Sequence, residues 1–183
     1  MVDKKEEPMT VDKLKKIEYF KKKIKEVFDY LDPMRKGEIK LEEVAYIIRY
    51  FNRFPSESVI RKDIIRQLEE DEPSDYVKYS KLEPVLVNML IEMQHEPDPM
   101  ENLLAAFKVL DTEGRGYIKE NVLRTLLMNI GIKFDAKVYE KFMLYSVDRT
   151  EQLIYYEDYV ARLVEENEKH WEYIMKDFDP DSK

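Results

Sequence analysis

The chain is predicted to be all-α, with four helix-loop-helix units arranged as two pairs, and three observations carry that prediction. Apolar residues recur at steps of three and four along successive segments, the period of a helix with one buried face. Each pair of such segments is separated by a short loop rich in carboxylates or glycine. The third observation is the spacing of β-branched residues inside those loops. Ile39, Val77, Ile118 and Ile154 stand 38, 41 and 36 residues apart, which is an internal repeat.

The elements follow in order. Leu14, Ile17, Phe20, Ile24, Val27, Phe28 and Leu31 mark a first helix of about five turns, ending at Asp32. A second helix, from about Leu41 to Phe51, buries Val44, Ile47 and Ile48 and stops before Pro55. A third starts near Ser58, whose hydroxyl can cap it, and carries Ile60, Ile64, Ile65 and Leu68 into an acidic loop at 69–77. The fourth, from about Lys81 to Gln94, tolerates Pro84 as a first-turn residue. His95 to Pro99 holds two prolines and breaks the period, so it reads as a linker. Beyond it, Leu103, Leu104, Phe107 and Leu110 lead to a loop at Asp111, and the helix after that loop closes on Gly131. The last unit has a helix over about 135–146, a short loop, and a long helix from about Tyr156 to Asp177. The expected divisions are a tail at 1–11, a first pair at 12–94, the linker at 95–99, a second pair at 100–178 and a tail at 179–183.

Composition narrows the function. A chain of 183 residues with 44% hydrophobic residues can bury a core, and a net charge of -8 disfavours nucleic acid and anionic membranes as partners. Basic or apolar protein surfaces suit it better. With no cysteine, disulfides, thiolate metal sites and a cysteine nucleophile are excluded, and a reducing compartment fits. The N-terminus has no apolar leader segment and no stretch approaches the roughly 18 apolar residues of a span, so neither secretion nor membrane insertion is expected.

The first loop, Asp32 to Glu43, reads Asp-Pro-Met-Arg-Lys-Gly-Glu-Ile-Lys-Leu-Glu-Glu. Its frame resembles an EF-hand calcium loop, with Gly37 at position 6 for the sharp turn. Oxygen ligands are needed at positions 1, 3, 5 and 12, and here Met34 and Lys36 hold positions 3 and 5, leaving Asp32 and Glu43. The second loop, aligned on Val77, offers Glu70, Glu72 and Ser74 but has Lys81 at position 12. The third has Asp111, Glu113 and Gly116 in frame, yet Arg115 stands at position 5 and Val122 at position 12. The fourth fits only with one residue missing before Ile154. No loop has a full ligand set, so no cofactor is expected and calcium is disfavoured; Asp32, Glu43, Asp111 and Glu113 are the residual metal candidates. The competing reading is that these carboxylates are solvated or cap helix starts.

Catalysis finds no support. His95 and His170 lie in no recognisable constellation, and the four glycines form no phosphate loop. A lysine stripe on the first helix, Lys15, Lys16, Lys21, Lys22, Lys23 and Lys25, suits either an acidic surface such as tubulin or solvent. Met89, Met93, Met128, Met143 and Met175 are candidates for a flexible apolar groove that accepts a partner helix, with core packing as the alternative. Trp171 either caps the second pair or anchors a partner.

Two segments are similar to calmodulin-like EF-hand proteins: Ile24-Lys25-Glu26-Val27-Phe28-Asp29-Tyr30-Leu31-Asp32 and Leu123-Arg124-Thr125-Leu126-Leu127-Met128-Asn129-Ile130-Gly131. The resemblance spans about residues 14–176. It implies four degenerate EF-hands in two lobes, each lobe closed by a short antiparallel bridge at loop position 8, so that Ile39 pairs with Val77 and Ile118 with Ile154. Within that family the chain resembles the EF-hand subunit of the nexin-dynein regulatory complex of cilia and flagella. The carrying residues are 22–28, Glu43 to Arg49, Glu72-Pro73-Ser74 and Ala106 to Asp111. This implies a non-catalytic subunit of a hetero-complex in the axonemal cytoskeleton, binding helices of larger axonemal subunits near the microtubule doublets without calcium. The alternative implied by the same fold is a light-chain-like binder of IQ-type helices.

Overall fold

The computed structural model describes residues 10–69 and 74–179; Glu70 and Glu72 of the second loop therefore lie outside the described residues. The chain divides into two compact units, one comprising residues up to Pro97 together with Trp171 onward, the other Asp98–His170.

In the first unit, α1 (Val11–Leu31) begins where the Thr10 side chain accepts a hydrogen bond from the Lys13 N–H, and it buries Phe20, Ile24 and Phe28. That spacing of four residues keeps all three on one face. Strand β1 (Glu38–Lys40) then pairs antiparallel with β2 (Tyr76–Lys78), Ile39 facing Val77, both side chains buried. A single 3₁₀ turn, Leu41–Glu43, leads into α2 (Val44–Tyr50), which buries Val44, Ile47 and Ile48. The next helical run joins α3 (Glu57–Val59), a π-helical stretch Ile60–Ile64 and α4 (Ile65–Leu68). Its cap is Ser56 rather than Ser58: the Ser56 hydroxyl accepts from the Val59 N–H at 3.3 Å.

Helix α5 (Tyr79–Ile91) starts earlier than the period of the sequence suggests, which places Pro84 in its second turn. Pro84 is exposed there, and its ring removes one N–H donor from the helix. The apolar faces of α1, α2, α4 and α5 meet in one core cluster.

The second unit contains α6 (Met100–Leu110), β3 (Ile118–Lys119), α7 (Glu120–Asn129), α8 (Ala136–Ser146), β4 (Leu153–Ile154) and the first part of α9 (Tyr156–Met175). Ile118 faces Ile154 across an antiparallel pair. The Asp135 carboxylate caps α8 by accepting from the Val138 N–H at 2.8 Å. Ile118, Leu123, Ile154 and Tyr156 form the buried cluster, with Leu104, Phe107, Leu127 and Phe142 packed around it.

The second pair does not keep its last helical turn. The sequence pattern predicts one pair over 100–178, but Trp171 onward belongs to the first unit. Ile174 is fully buried in that unit's core, and Trp171 and Met175 pack against the same cluster. Three apolar side chains on one helix end find more surface there than solvent would leave them.

Candidate functional site

The loops come first, because their chemistry decides whether the helix pairs are gated by an ion. Asp32 and Gly37 are the first and sixth residues of the first loop. The Asp32 carboxylate accepts hydrogen bonds from the backbone N–H of Lys36 (3.0 Å) and of Gly37 (2.7 Å), and Gly37 sits at φ 77°, a conformation open mainly to glycine. Burial pushes the Asp32 carboxyl up, but the N–H groups of Lys36, Gly37 and Glu38 together outweigh it and hold it below the ordinary carboxylate value. At position 12, Glu43 turns back and accepts from the Lys40 N–H at 2.8 Å, as in a capping box.

The third loop repeats this arrangement. Asp111 accepts from the N–H of Arg115 (3.0 Å) and of Gly116 (2.8 Å), with Gly116 at φ 82°. A further donor arrives from α9: the Tyr156 hydroxyl lies 3.0 Å from Asp111 Oδ2, its ring stacked on Phe107. The Arg115 N–H holds the Asp111 carboxyl low against burial, aided by the Gly116 N–H, the Tyr156 hydroxyl and the Arg115 charge. Glu113, at position 3, is ion-paired with Arg115. Each residual metal candidate is thus engaged by a donor of its own loop or of an adjoining helix. Among the described residues no group of three or more His, Asp or Glu side chains is placed to hold a metal ion. In the fourth loop the Asp148 carboxylate accepts from the Thr150 and Glu151 N–H groups, tightening the turn before β4.

The methionines divide between the two units. Met89 is buried in the first unit's core and Met175 packs against that core, whereas Met93 is exposed at the end of α5 with φ 50°. Met128 and Met143 are half-buried in the second unit. Trp171 neither caps the second pair nor stands free: its ring lies 6.2 Å from that of Phe20 and 5.0 Å from the Arg53 guanidinium.

Met89 borders one groove with Val59, Ile64 and Val85, and Met143 another with Tyr139 and Val147, while tyrosines line two more. In the second unit, Val138, Phe142, Leu144 and Tyr145 of α8 and Tyr159 and Leu163 of α9 border one of about 460 Å³, flanked by Lys141 and Arg162. In the first, Val27, Tyr30, Tyr46, Tyr50 and Tyr173 border another of about 530 Å³. The signal for the α8 groove was present in Val138, Tyr139, Phe142, Met143, Leu144 and Tyr145, more apolar residues than one helix face can bury. The lysine stripe is partly committed within its own unit, with Lys21 paired to Glu18, Lys23 to Glu26 and Asp177, and Lys25 to Asp29.

Four helix-loop-helix units, paired through two-strand loop bridges, the first and third loops turned on Asp and Gly, define a calmodulin-like EF-hand fold. No family model matches the chain. It is 31% identical to mouse dynein regulatory complex protein 8 over 143 residues, covering 78% of this chain and 87% of that protein. With human dynein regulatory complex protein 8 it shares 36% identity over 104 residues, 57% of this chain and 38% of that protein. Among solved structures it is similar to the Physarum polycephalum myosin II regulatory domain, with a TM-score of 0.61 and 27% identity over 79% of this chain and 94% of that one. The chain belongs to the calmodulin-like EF-hand family that includes dynein regulatory complex protein 8.

Proposed function

We propose that the protein is a non-catalytic adaptor of the axonemal nexin-dynein regulatory complex, holding helices of larger subunits and helping to restrain dynein-driven sliding between doublets. The observation that carries this reading is the similarity to mouse dynein regulatory complex protein 8 across 87% of that protein. The apolar side chains that the second unit leaves outward, Leu144 and Tyr145 among them, support helix binding as the mode of assembly. Its place is the cytoskeleton of cilia or flagella. Purification of the tagged protein from ciliated cells should recover the larger subunits of that complex. Recovery of a myosin heavy chain without them would replace this reading with that of a light-chain-like binder of IQ-type helices, which the likeness to the myosin II regulatory domain favours.

Binding is constitutive in this reading. Met34, Lys36, Arg115 and Val122 stand where ligand oxygens belong, and Asp32, Glu43, Asp111 and Glu113 already have partners. Calorimetric titration with calcium at neutral pH should give no binding heat; micromolar affinity would replace the fixed adaptor with a sensor.

A further inference from the structure

The last turn of α9 and the residues after it sit on the first unit as a ligand sits in a site. Ile174 is buried among the core side chains, and its carbonyl accepts a hydrogen bond from the Tyr19 hydroxyl at 2.5 Å. Trp171 lies between Phe20 and Arg53, whose side chain is only 4% exposed and has Glu96 at 3.9 Å. Phe178 meets the Tyr19 ring edge-on at 5.2 Å, and Asp177 pairs with Lys23 at 3.0 Å. Aromatic, β-branched, acidic and aromatic side chains thus follow one another at positions 171, 174, 177 and 178, one stripe of a helix and the turn that ends it.

The occupant fills the site incompletely. Beside Ile174 the 530 Å³ groove stays open, and two of its lining tyrosines, Tyr30 and Tyr46, are 85% and 65% exposed. The polar tie is weak as well, since the Asp177 side chain is 58% exposed and its pairing with Lys23 is screened by water. The covalent tether adds to these contacts by holding the segment at a high effective concentration. A longer helix from outside that also covered Tyr30 and Tyr46 would bury apolar surface the resident leaves wet.

We propose that the face made by Tyr19, Phe20, Lys23 and Arg53 is a helix-binding site occupied by the chain's own segment Trp171–Phe178, and that an external amphipathic helix with the same aromatic, β-branched, acidic, aromatic pattern displaces it. The segment is an internal competitor that keeps the first unit closed until such a helix arrives. This does not depend on which complex supplies the helix.

Trp171 is the only tryptophan, so its emission reports the site directly. In full-length protein, Ile174→Asp should leave far-UV circular dichroism unchanged, shift Trp171 emission to the red and expose the face. A fluorescein-labelled peptide of residues 168–179, carrying phenylalanine in place of the tryptophan, should then bind that variant at least about tenfold more tightly than it binds the wild type. The milder Asp177→Lys should raise acrylamide quenching of Trp171 about two- to fourfold, because it replaces the ion pair with Lys23 by like-charge repulsion and leaves the apolar contacts intact. Loss of helicity in Ile174→Asp would make the segment part of the core and overturn the proposal. So would failure of the peptide to bind the folded variant, or unchanged quenching in Asp177→Lys.

Discussion

The two units have the same supersecondary plan and very different interiors. Among the described residues the first buries seventeen apolar side chains and the second six, although the second is about two thirds as long. The first unit recruits Ile174, Trp171 and Met175 from the end of the chain, while the second leaves Val109, Ile130, Ile132, Leu144 and Tyr145 exposed. The shared Asp-to-Gly turn of the first and third loops therefore does not make identical lobes. What differs is how much apolar surface each finds to cover its own: the first unit is partly covered by the end of α9, and the second leaves its apolar side chains outward.

The contrast can be broken first at the cores. Phe28→Ala should cost the first unit about 4 kcal/mol, because Phe28 is fully buried and edge-on to Tyr79, whereas half-buried Phe107→Ala should cost the second less than half of that. Urea unfolding read at Trp171 for the first unit and by circular dichroism for both would check it. Equal losses would mean that the second unit is as well packed as the first.

A smaller effect probes what the two loops share. Asp32 and Asp111 have folded-state pKa values below their unfolded ones, so their contribution to stability is complete above the ordinary carboxylate range and is lost as pH falls through the depressed values. Stability should decline from about pH 5 downward, and Asp32→Asn or Asp111→Asn should flatten that acid limb in melting experiments. Smaller again is the backbone strain at loop position 4, where Arg35 holds φ 53° and Gly114 holds φ 64°. Arg35→Gly should stabilise the first unit and Gly114→Ala destabilise the second, each by about 1 kcal/mol in thermal unfolding. The least effect on stability, within about 0.5 kcal/mol, is expected for Leu144→Ser and Tyr145→Ser. The same variants should lose partner in pull-downs, which separates an exposed docking face from a core.

Much of the fold was legible in local pattern. The α1 period of Phe20, Ile24 and Phe28 dictates which face is buried, and the position of Ile39 and Val77 in their loops fixes which residues can meet across the bridge. Local pattern does not choose where neighbouring residues offer equal chemistry. Ser56 and Ser58 can both cap a helix, and the backbone after Pro55 chose the former. Methionine spacing points toward a groove, and Met89 and Met143 do each border one, but Met89 is also buried in the core and two further grooves are bordered by tyrosines that the spacing does not single out.

By itself the sequence determined the helices, the loop register and the residues that stand where calcium ligands belong, because these follow from the 3.6-residue period, from the turn that glycine permits and from ligand chemistry. Only the tertiary structure decided that Trp171 to Phe178 join the first unit and that Leu144 and Tyr145 stay outside. An apolar stripe on a helix states that it will be buried, not against what; that outcome is a competition between distant surfaces of similar chemistry, settled by shape and by the room each core has left.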